Sequence, residues 1–246
     1  MTALRLNDIP RRSLQTVGYA FVHATEMRSA LEAVGALSDW DMFAASWNDL
    51  ELDTYLADRG RYRRRRHAVY TVTSDSAVTR QPHQPHHQGE QYNRLFGGVD
   101  RWFAPVRDDV SDSQTMRTIL RFCGALFGDL APDSRVWRVE AHQFRIEARS
   151  GEEGQPTPEG LHRDGVDFVL VLLVQRRNID SGTTTIHGLD RESLGAFTLT
   201  HPFDAALVDD SRVYHGVTSV TPVDRAQPAF RDVLVVTFRR ADTNAV

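Results

Sequence analysis

Three side chains in the C-terminal half of the chain have the chemistry of metal ligands: His162, Asp164 and His215. His162 and Asp164 stand two positions apart before a predicted strand, and in an extended segment such residues point to the same face. His215 follows a turn and begins another predicted strand, which makes it the candidate third ligand. Two neutral imidazoles and one carboxylate on one face leave three open octahedral positions, which is the facial triad that holds non-haem Fe(II). The sequence therefore predicts a ferrous site.

The His-x-Asp pair is a weak signal by itself. With 10 His and 23 Asp in 246 residues, about 0.9 such pairs are expected by chance, and an exposed loop pair is the ordinary interpretation. The context makes the pair more specific. A strand follows it, a second histidine begins a strand 53 residues later, and an arginine stands late in the chain.

That arginine, Arg231, begins the last predicted strand, whose other residues are mostly apolar. Burying an unpaired arginine is costly, and its planar fork binds a carboxylate through two parallel hydrogen bonds. We therefore expect Arg231 to receive the carboxylate of a ligand. The alternative is a partly exposed arginine at a strand end, bonded to a neighbour such as Asp232.

The elements that must position these residues follow from hydrophobic periodicity. Ser111–Gly128 is the clearest predicted helix, because its apolar residues form one stripe that suits packing against a sheet. Ser111 or Asp112 is the expected N-terminal cap and Gly128 the expected stop. Two further helices, two strands and a polar loop are predicted before it: Thr25–Ala36, Trp47–Ala57, Val17–Val22, Arg66–Val72 and Ser74–Gly98.

After Pro132 the chain becomes rich in β-branched and aromatic residues separated by turn signals. Seven short strands at such spacing predict a sandwich or barrel: Val136–Ile146, Asp167–Gln175, Thr183–Ile186, Gly195–Thr200, Ala205–Val208, Val213–Val220 and Phe230–Arg239. We expect a single domain over residues 1–246. Mixed helices and strands in 1–130 would support a β core in 131–246 that carries the metal site.

The composition narrows the classes of function. A net charge of −4 gives no basic field for nucleic acid, and all 29 basic residues are arginine, which excludes lysine Schiff-base chemistry. No apolar run approaches the roughly 20 residues that cross a bilayer, and no signal-peptide pattern is visible. The single cysteine, Cys123, excludes an intrachain disulfide and is expected to be a buried structural thiol. We expect a cytoplasmic protein without nucleic-acid or membrane partners.

Other polar segments favour less specific interpretations. Prolines interrupt the histidines of segment 81–88, so a mobile polar loop is favoured over a metal site there. The arginine run that ends at Arg66 is typical of a solvated face or a strand edge. The acidic segment 149–160 predicts a lid or a solvated connector. His142 and Gln143 stand on opposite faces of one predicted strand, and either face could line the interior. The residues of the first two segments are His83, His86, His87, Arg61 and Arg63–Arg66.

Taken together, several segments resemble the bacterial Fe(II)/2-oxoglutarate-dependent dioxygenases of the L-isoleucine 4-hydroxylase type, which hydroxylate free aliphatic L-amino acids. The resemblance is good over the C-terminal half and fainter in Gln91–Leu95 and Arg101–Pro105. It implies a double-stranded β-helix, or jelly-roll, with supporting helices. The segments that carry it are His162–Val169, Gly182–Thr185, Val208–His215 and Phe230–Phe238.

The resemblance implies roles for individual residues. His162, Asp164 and His215 would bind Fe(II), and Arg231 would bind the distal carboxylate of 2-oxoglutarate. In many such enzymes the arginine lies about ten residues after the second histidine, with a Ser or Thr two positions later. Arg231 lies sixteen residues after His215 and is followed at that offset by Val233. Arg225 has the usual spacing but lies in a turn, so we favour Arg231.

The missing Ser or Thr leaves the second contact to that carboxylate open, and Gln143 or Thr237 could supply it. The implied reaction couples hydroxylation of a free L-amino acid to the decarboxylation of 2-oxoglutarate, with O₂ as oxidant and succinate and CO₂ as products. Two alternatives remain. One is a cupin-like module that binds Zn²⁺, Ni²⁺ or a small acid without oxidation, and the other is a hydroxylase of a protein side chain.

Overall fold

The structure, a computed structural model, describes residues 8–56, 61–92 and 97–241. Its elements in chain order are α1 (Asp8–Val17), β1 (Tyr19–Val22), α2 (Ala24–Glu32), α3 (Trp40–Ala45), a 3₁₀ turn (Ser46–Asp49), β2 (Glu51–Leu52), β3 (Arg63–Thr73), β4 (Val78–Arg80), α4 (Asp108–Ser111), α5 (Gln114–Leu130), β5 (Val136–Ala148), β6 (Phe168–Arg177), β7 (Ile179–Ser181), β8 (Thr183–Gly188), β9 (Ser193–Thr198), β10 (Ala205–Asp209), β11 (Val213–Val217), β12 (Val220–Pro222) and β13 (Ala229–Arg240). Ala57, the last residue of one predicted helix, and residues 93–95 of the segment Gln91–Leu95 lie outside the described residues.

A large antiparallel sheet forms one layer of the fold. Its strands are hydrogen-bonded in the order β1-β10-β6-β13-β5-β3-β2, with β4 paired to β3. β13 lies between β5 and β6 and pairs with both along most of its length. Because alternate residues of a strand share a face, every second side chain of β13, β5 and β3 points to the same side of this sheet.

The smaller sheets β11-β8-β9 and β12-β7 form the second layer. Ile186 and Val213 from this layer form one buried apolar cluster with Val169 and Val208 of the large sheet. Two facing antiparallel layers with helices outside them confirm the predicted mostly-β, double-stranded β-helix architecture. In the described part of the chain, no helix combines the length and the apolar character that crossing a membrane requires.

The helix α5 packs its apolar stripe into the main core, as its periodicity predicts. Its residues from Met116 to Phe127 on that stripe are buried, Cys123 among them. The N-terminal cap is Ser113, whose hydroxyl accepts a hydrogen bond from the amide of Met116 at 3.1 Å, so the predicted caps Ser111 and Asp112 are wrong. Gly128 does not end the helix, which continues to Leu130.

The predicted helix Trp47–Ala57 is wrong in its described part. Trp47 lies in the 3₁₀ turn, fully buried, and its indole donates to the carbonyl of Phe144 at 3.1 Å. Glu51 and Leu52 instead pair as strand β2 with β3. Tertiary contacts of one large aromatic side chain therefore override a helical pattern. The helix α1 is absent from the sequence prediction. The short strand β7 is absent as well, because its segment carries residues typical of a turn.

Candidate metal and co-substrate site

His162 and His215 are brought together by the backbone. The amide of His162 donates to the carbonyl of His215 at 2.9 Å, and the amide of His215 donates back at 3.0 Å. Residues directly opposite each other in an antiparallel bridge hold their side chains side by side. The two imidazole centroids are accordingly 4.5 Å apart, although 53 residues separate these residues in the chain.

The carboxylate of Asp164 completes this group. Asp164 Oδ1 lies 3.6 Å from His162 Nε2, and Oδ2 lies 3.4 Å from His215 Nε2. His215 Nε2 is buried and has no hydrogen-bond partner among the described residues, so this nitrogen is available to a ligand that lies between it and Asp164. His162 Nδ1 lies 3.1 Å from the carbonyl of Gly160, which fixes Nε2 as the ligating nitrogen. This donor set fits a divalent metal ion with open positions.

The electrostatics suit a metal ligand set. Burial raises the pKa of Asp164, but its contacts with His162 and His215 outweigh burial and leave the pKa well below its usual value. Burial lowers the pKa of His215, but the carboxylates of Asp164 and Asp210 outweigh it and raise the pKa to about 10. The carboxylate is therefore ionised, and a cation is strongly favoured between the two imidazoles.

Asp210 anchors the loop that carries the first two candidate ligands, a role the sequence analysis missed. Its buried carboxylate accepts hydrogen bonds from the amides of Asp164 (2.9 Å), Gly165 (2.8 Å) and Val166 (3.2 Å). Gly165 has a φ of +78°, and a Cβ atom at this position would lie 2.4 Å from the ring of Tyr92. Asp210 lies in the turn that precedes His215, but only the fold shows which loop its carboxylate binds.

A cavity of about 530 Å³ lies between the two layers and contains all three candidate ligands. Its volume is in the range of sites for small molecules. The large sheet contributes alternate residues of β13 together with Val169 and Val171 of β6. The segment 149–160 contributes Thr157 to the wall, and this residue exchanges hydrogen bonds with the backbone of Val217. That part of the segment is thus tied to the fold.

Arg231 is buried in the wall of the same cavity, with 2 % of its surface exposed. In the described chain no partner accepts from its Nε or Nη2. The carboxylate of Asp232 binds Arg145 instead, with both oxygens at 2.7 Å, so the interpretation of an Arg231–Asp232 pair is wrong. Burial and the nearby guanidinium of Arg176 lower the pKa of Arg231 to about 10. Arg225 is exposed outside this cavity.

The structure does not bring Gln143 or Thr237 to Arg231. Gln143 lies on the opposite face of β5, outside the cavity, where its amide donates to Ser46 Oγ at 2.8 Å. Thr237 lines the cavity, but it stands six residues after Arg231 on β13. At about 3.3 Å per residue their Cα atoms are ~20 Å apart. Neither residue is therefore placed to share a carboxylate with Arg231.

Two segments contribute to the cavity wall: the arginine run expected to be a solvated or strand-edge charge run, and the histidine segment expected to be a mobile polar loop. Arg63 and Arg65 are buried and both pair with the carboxylate of Asp53, at 2.8 and 3.6 Å. His86, from the segment expected to be a mobile polar loop, is largely buried and binds Glu140. Alternation along β3 could have shown that Arg63 and Arg65 share one face, but the partner acids lie elsewhere in the chain.

A double-stranded β-helix that holds two histidines, a carboxylate and a buried guanidinium around one cavity has the architecture of a non-haem iron oxygenase. A comparison with family models places the chain more narrowly. Residues 44–237 match the 2OG-Fe dioxygenase model, and the chain belongs to this family. The protein is an Fe(II)/2-oxoglutarate-dependent dioxygenase, with Fe(II), 2-oxoglutarate and O₂ as its cofactor and co-substrates.

The chain is similar to two relatives with amino acid dioxygenase or hydroxylase names and to one solved structure. The 3(1)-hydroxy-L-isoleucine 4-dioxygenase of Pantoea ananatis is 23% identical over 236 residues, covering 92% of this chain and 94% of its own. The L-isoleucine-4-hydroxylase of Bacillus thuringiensis is 28% identical over 159 residues, covering 63% of this chain and 65% of its own. A solved structure of a bsmA homolog from Methylobium petroleophilum PM1 superposes with a TM-score of 0.87 at 35% identity, covering 96% and 93% of the two chains.

Proposed function

We propose that this protein hydroxylates a free aliphatic L-amino acid at a ferrous ion held by His162, Asp164 and His215. The observation that carries the proposal is one cavity that contains both this triad and the guanidinium of Arg231, whose Nε and Nη2 have no partner among the described residues. The names of the Pantoea and Bacillus relatives support a free amino acid as the substrate class. The enclosed volume of about 530 Å³ suits a small acid together with a second small molecule.

In this proposal each residue has a defined task. The imidazoles of His162 and His215 donate one lone pair each, and the carboxylate of Asp164 offsets part of the charge of the metal. Asp210 holds the loop of Asp164 in place through three amide hydrogen bonds. With Fe(II) bound, its open positions would supply the oxidative chemistry in which one atom of O₂ converts a substrate C–H bond to C–OH and the other enters the succinate that forms from 2-oxoglutarate with release of CO₂.

Arg231 orients the co-substrate. Its buried fork binds the distal carboxylate of 2-oxoglutarate, which supplies acceptors to the Nε and Nη2 atoms that no described residue bonds. The apolar side chains Val169, Val171, Val233 and Val235 form the wall between the two polar ends of the cavity. This wall keeps bulk water away from the reacting carbon.

The test begins with anaerobic titration of the protein with Fe(II) and 2-oxoglutarate, which should give the weak visible charge-transfer band of the chelate. Aerobic reactions with a panel of L-amino acids should then release succinate, and the product should gain the mass of one oxygen atom. His162→Ala and His215→Ala should lose both signals, whereas His201→Ala, a change at an exposed histidine, should keep them. Normal turnover by His162→Ala would remove the triad from the proposal.

A further inference from the structure

Four side chains that the metal and co-substrate site does not use form a second polar cluster: His67, His86, Glu140 and His142. All but the fully buried His67 line the cavity. Strand register brings three of them together. His67 of β3 lies directly opposite His142 of β5, and Glu140 lies two residues before His142 on the same face. His86 comes from the loop after β4, where its backbone pairs with that of Arg101. We call these four side chains the Glu140 cluster.

The carboxylate of Glu140 is the centre of this cluster. Its Oε2 lies 3.1 Å from His67 Nε2 and 2.6 Å from His86 Nδ1, and its Oε1 accepts from Arg138 Nη2 at 3.2 Å. An ionised carboxylate has about four acceptor positions, so the described residues leave one open, on Oε1. Because Glu140 lines the cavity and keeps 12% of its side chain exposed, a ligand can reach that position.

Three imidazoles and one carboxylate could also bind zinc, but Arg65 argues against it. Arg65 Nη2 lies 2.7 Å from His142 Nδ1, and a guanidinium only donates. The neutral ring therefore carries its proton on Nε2, the nitrogen that lies 3.7 Å from Glu140. A nitrogen must be deprotonated to bind a metal. His142 thus contributes an N–H group directed at the carboxylate.

The imidazoles do not cancel the charge of the carboxylate. Burial lowers the pKa of His86 to about 4, and burial together with the guanidinium of Arg65 lowers the pKa of His142, so both rings are neutral near pH 7. Burial raises the pKa of Glu140, but hydrogen bonds from His67 and His86 outweigh burial and leave the pKa well below its usual value. One fixed negative charge therefore lies beside the positive charge of Arg138, a pair that complements a zwitterion.

The position of the cluster suits the head group of a substrate. The loop of His162 and Asp164 leads into β6, and Thr237 of β13 separates Glu140 from Val169 of β6. The backbones of Glu140 and Val169 are therefore two strand spacings, or ~10 Å, apart. When a side-chain carbon is oxidised at the metal, the amino and carboxyl groups of the substrate must lie several ångströms from it, and the Glu140 cluster meets this requirement.

Glu159 is a second carboxylate in the cavity wall, but it lies too near the metal ligands. Its Oε1 is 3.7 Å from Nε2 of His162, the nitrogen that we assign to the metal. An ammonium group bound there would bring the α-carbon, and not the side chain, to the reacting position. The ionic repulsion between that ammonium group and the metal ion would also weaken binding.

We propose that Glu140 binds the α-ammonium group of the amino acid substrate through Oε1, with the α-carboxylate on the adjacent Arg138. This inference rests on the proposed function and assigns the head group of the substrate to named residues. The N–H groups of His67 and His86 hold the carboxylate in place. Glu140 thereby selects α-amino acids over acids of the same shape that lack the amine.

The test compares wild-type protein and Glu140→Gln on an L-amino acid that the wild type oxidises and on its deamino analogue, the same carboxylic acid without the amine. A hydrogen bond to a charged group corresponds to about 10- to 100-fold in affinity. We expect Glu140→Gln to raise the KM of the amino acid by that factor, to change kcat by only a few-fold, and to leave the KM of the deamino acid unchanged.

Glu147→Gln is the matched control, since Glu147 lies on the same strand and binds Arg64 and Arg149 outside the cavity. It should keep the wild-type preference. The visible band of the ferrous 2-oxoglutarate chelate, retained in Glu140→Gln, shows that this variant folds and binds its co-substrate.

The possible outcomes separate the two proposals. Unchanged preference in Glu140→Gln, or a loss of preference in Glu159→Gln instead, overturns the assignment of the head group and leaves the proposed function in place. Stoichiometric zinc in the wild type that disappears in Glu140→Gln also overturns it, because the cluster would then be a metal site. A wild-type protein that oxidises no free amino acid overturns the proposed function and this inference together.

Discussion

Replacement of Arg231 by methionine separates a role in ligand binding from a role in folding. The side chain is 2% exposed, and its Nε and Nη2 have no partner in the described part of the chain. Its pKa falls from the usual 12.5 to about 10. At about 1.4 kcal/mol per pKa unit, keeping this charge in the ligand-free fold costs about 3 kcal/mol. Arg231→Met keeps most of the volume without the charge, so it should raise the free energy of unfolding by up to that amount.

The same change should weaken 2-oxoglutarate binding. Loss of one partner from a buried, hydrogen-bonded charge pair costs about 2–5 kcal/mol, which corresponds to a Kd at least about 30-fold higher. Urea unfolding without ligand measures the first effect, and titration of the ferrous chelate with 2-oxoglutarate measures the second. A more stable protein that binds its co-substrate poorly is the combined result that we expect.

Arg225→Met is the control, because Arg225 is exposed outside the cavity and has the sequence spacing usual for the co-substrate arginine. It should change neither measurement. An Arg231→Met protein that is less stable than wild type and binds 2-oxoglutarate normally would refute the reasoning. A loss of affinity in Arg225→Met would transfer the role to that residue.

Two further changes test the structure around the site. The pKa of His86 is about 4 in the folded protein, against 6.5 for a free histidine. As the pH falls, the unfolded chain therefore takes up this proton first. The contribution of His86 to the free energy of unfolding is complete above pH 6.5 and is lost as the pH falls toward 4. His86→Gln should remove about 3 kcal/mol of this acid dependence, as followed by urea unfolding at a series of pH values, and an unaltered pH profile would contradict the burial of a neutral ring. Asp210→Asn replaces a carboxylate that accepts from three amides by a carboxamide whose NH₂ group can only donate. It should therefore weaken the binding of Fe(II) by about 10- to 100-fold. Asp209→Asn, one residue earlier, should not, and equal Kd values of the two variants for Fe(II) would contradict a positioning role of Asp210.

The sequence predicts best those parts of the site that depend on local spacing. The pair His162 and Asp164, the strand that follows it, and the strand of Arg231 are all visible as short patterns, because period-two alternation fixes which side chains share a face. Residue type and position in the sequence are sufficient to propose His162 and His215 as ligands. Their direct pairing in an antiparallel bridge is visible only in the folded structure.

The parts that the sequence could not predict depend on register between distant strands. His67 and His142 are direct neighbours only because β3 and β5 pair in one particular register, and a shift by one residue would turn one side chain to the other face. The same holds for Arg63 and Arg65, which the run of basic residues indicated to be part of a solvated face or a strand edge. Their partner, Asp53, follows a strand of only two residues that the helical pattern around Trp47 concealed.

The buried charge of Arg231, whose Nε and Nη2 lack a partner in the described part of the chain, also bears on how the cavity is filled. A guanidinium that destabilises the ligand-free fold is relieved when a carboxylate enters, so 2-oxoglutarate should stabilise the folded protein through the same contact that binds it. The Glu140 cluster lies at the other side of the cavity, and three hydrogen bonds from its neighbours hold its carboxylate in place before any ligand binds. Arg231→Met should therefore abolish the stabilisation by 2-oxoglutarate, whereas Glu140→Gln should preserve it. If both variants lost that stabilisation equally, the two ends of the cavity would have to be coupled, and separate co-substrate and substrate subsites could not be maintained.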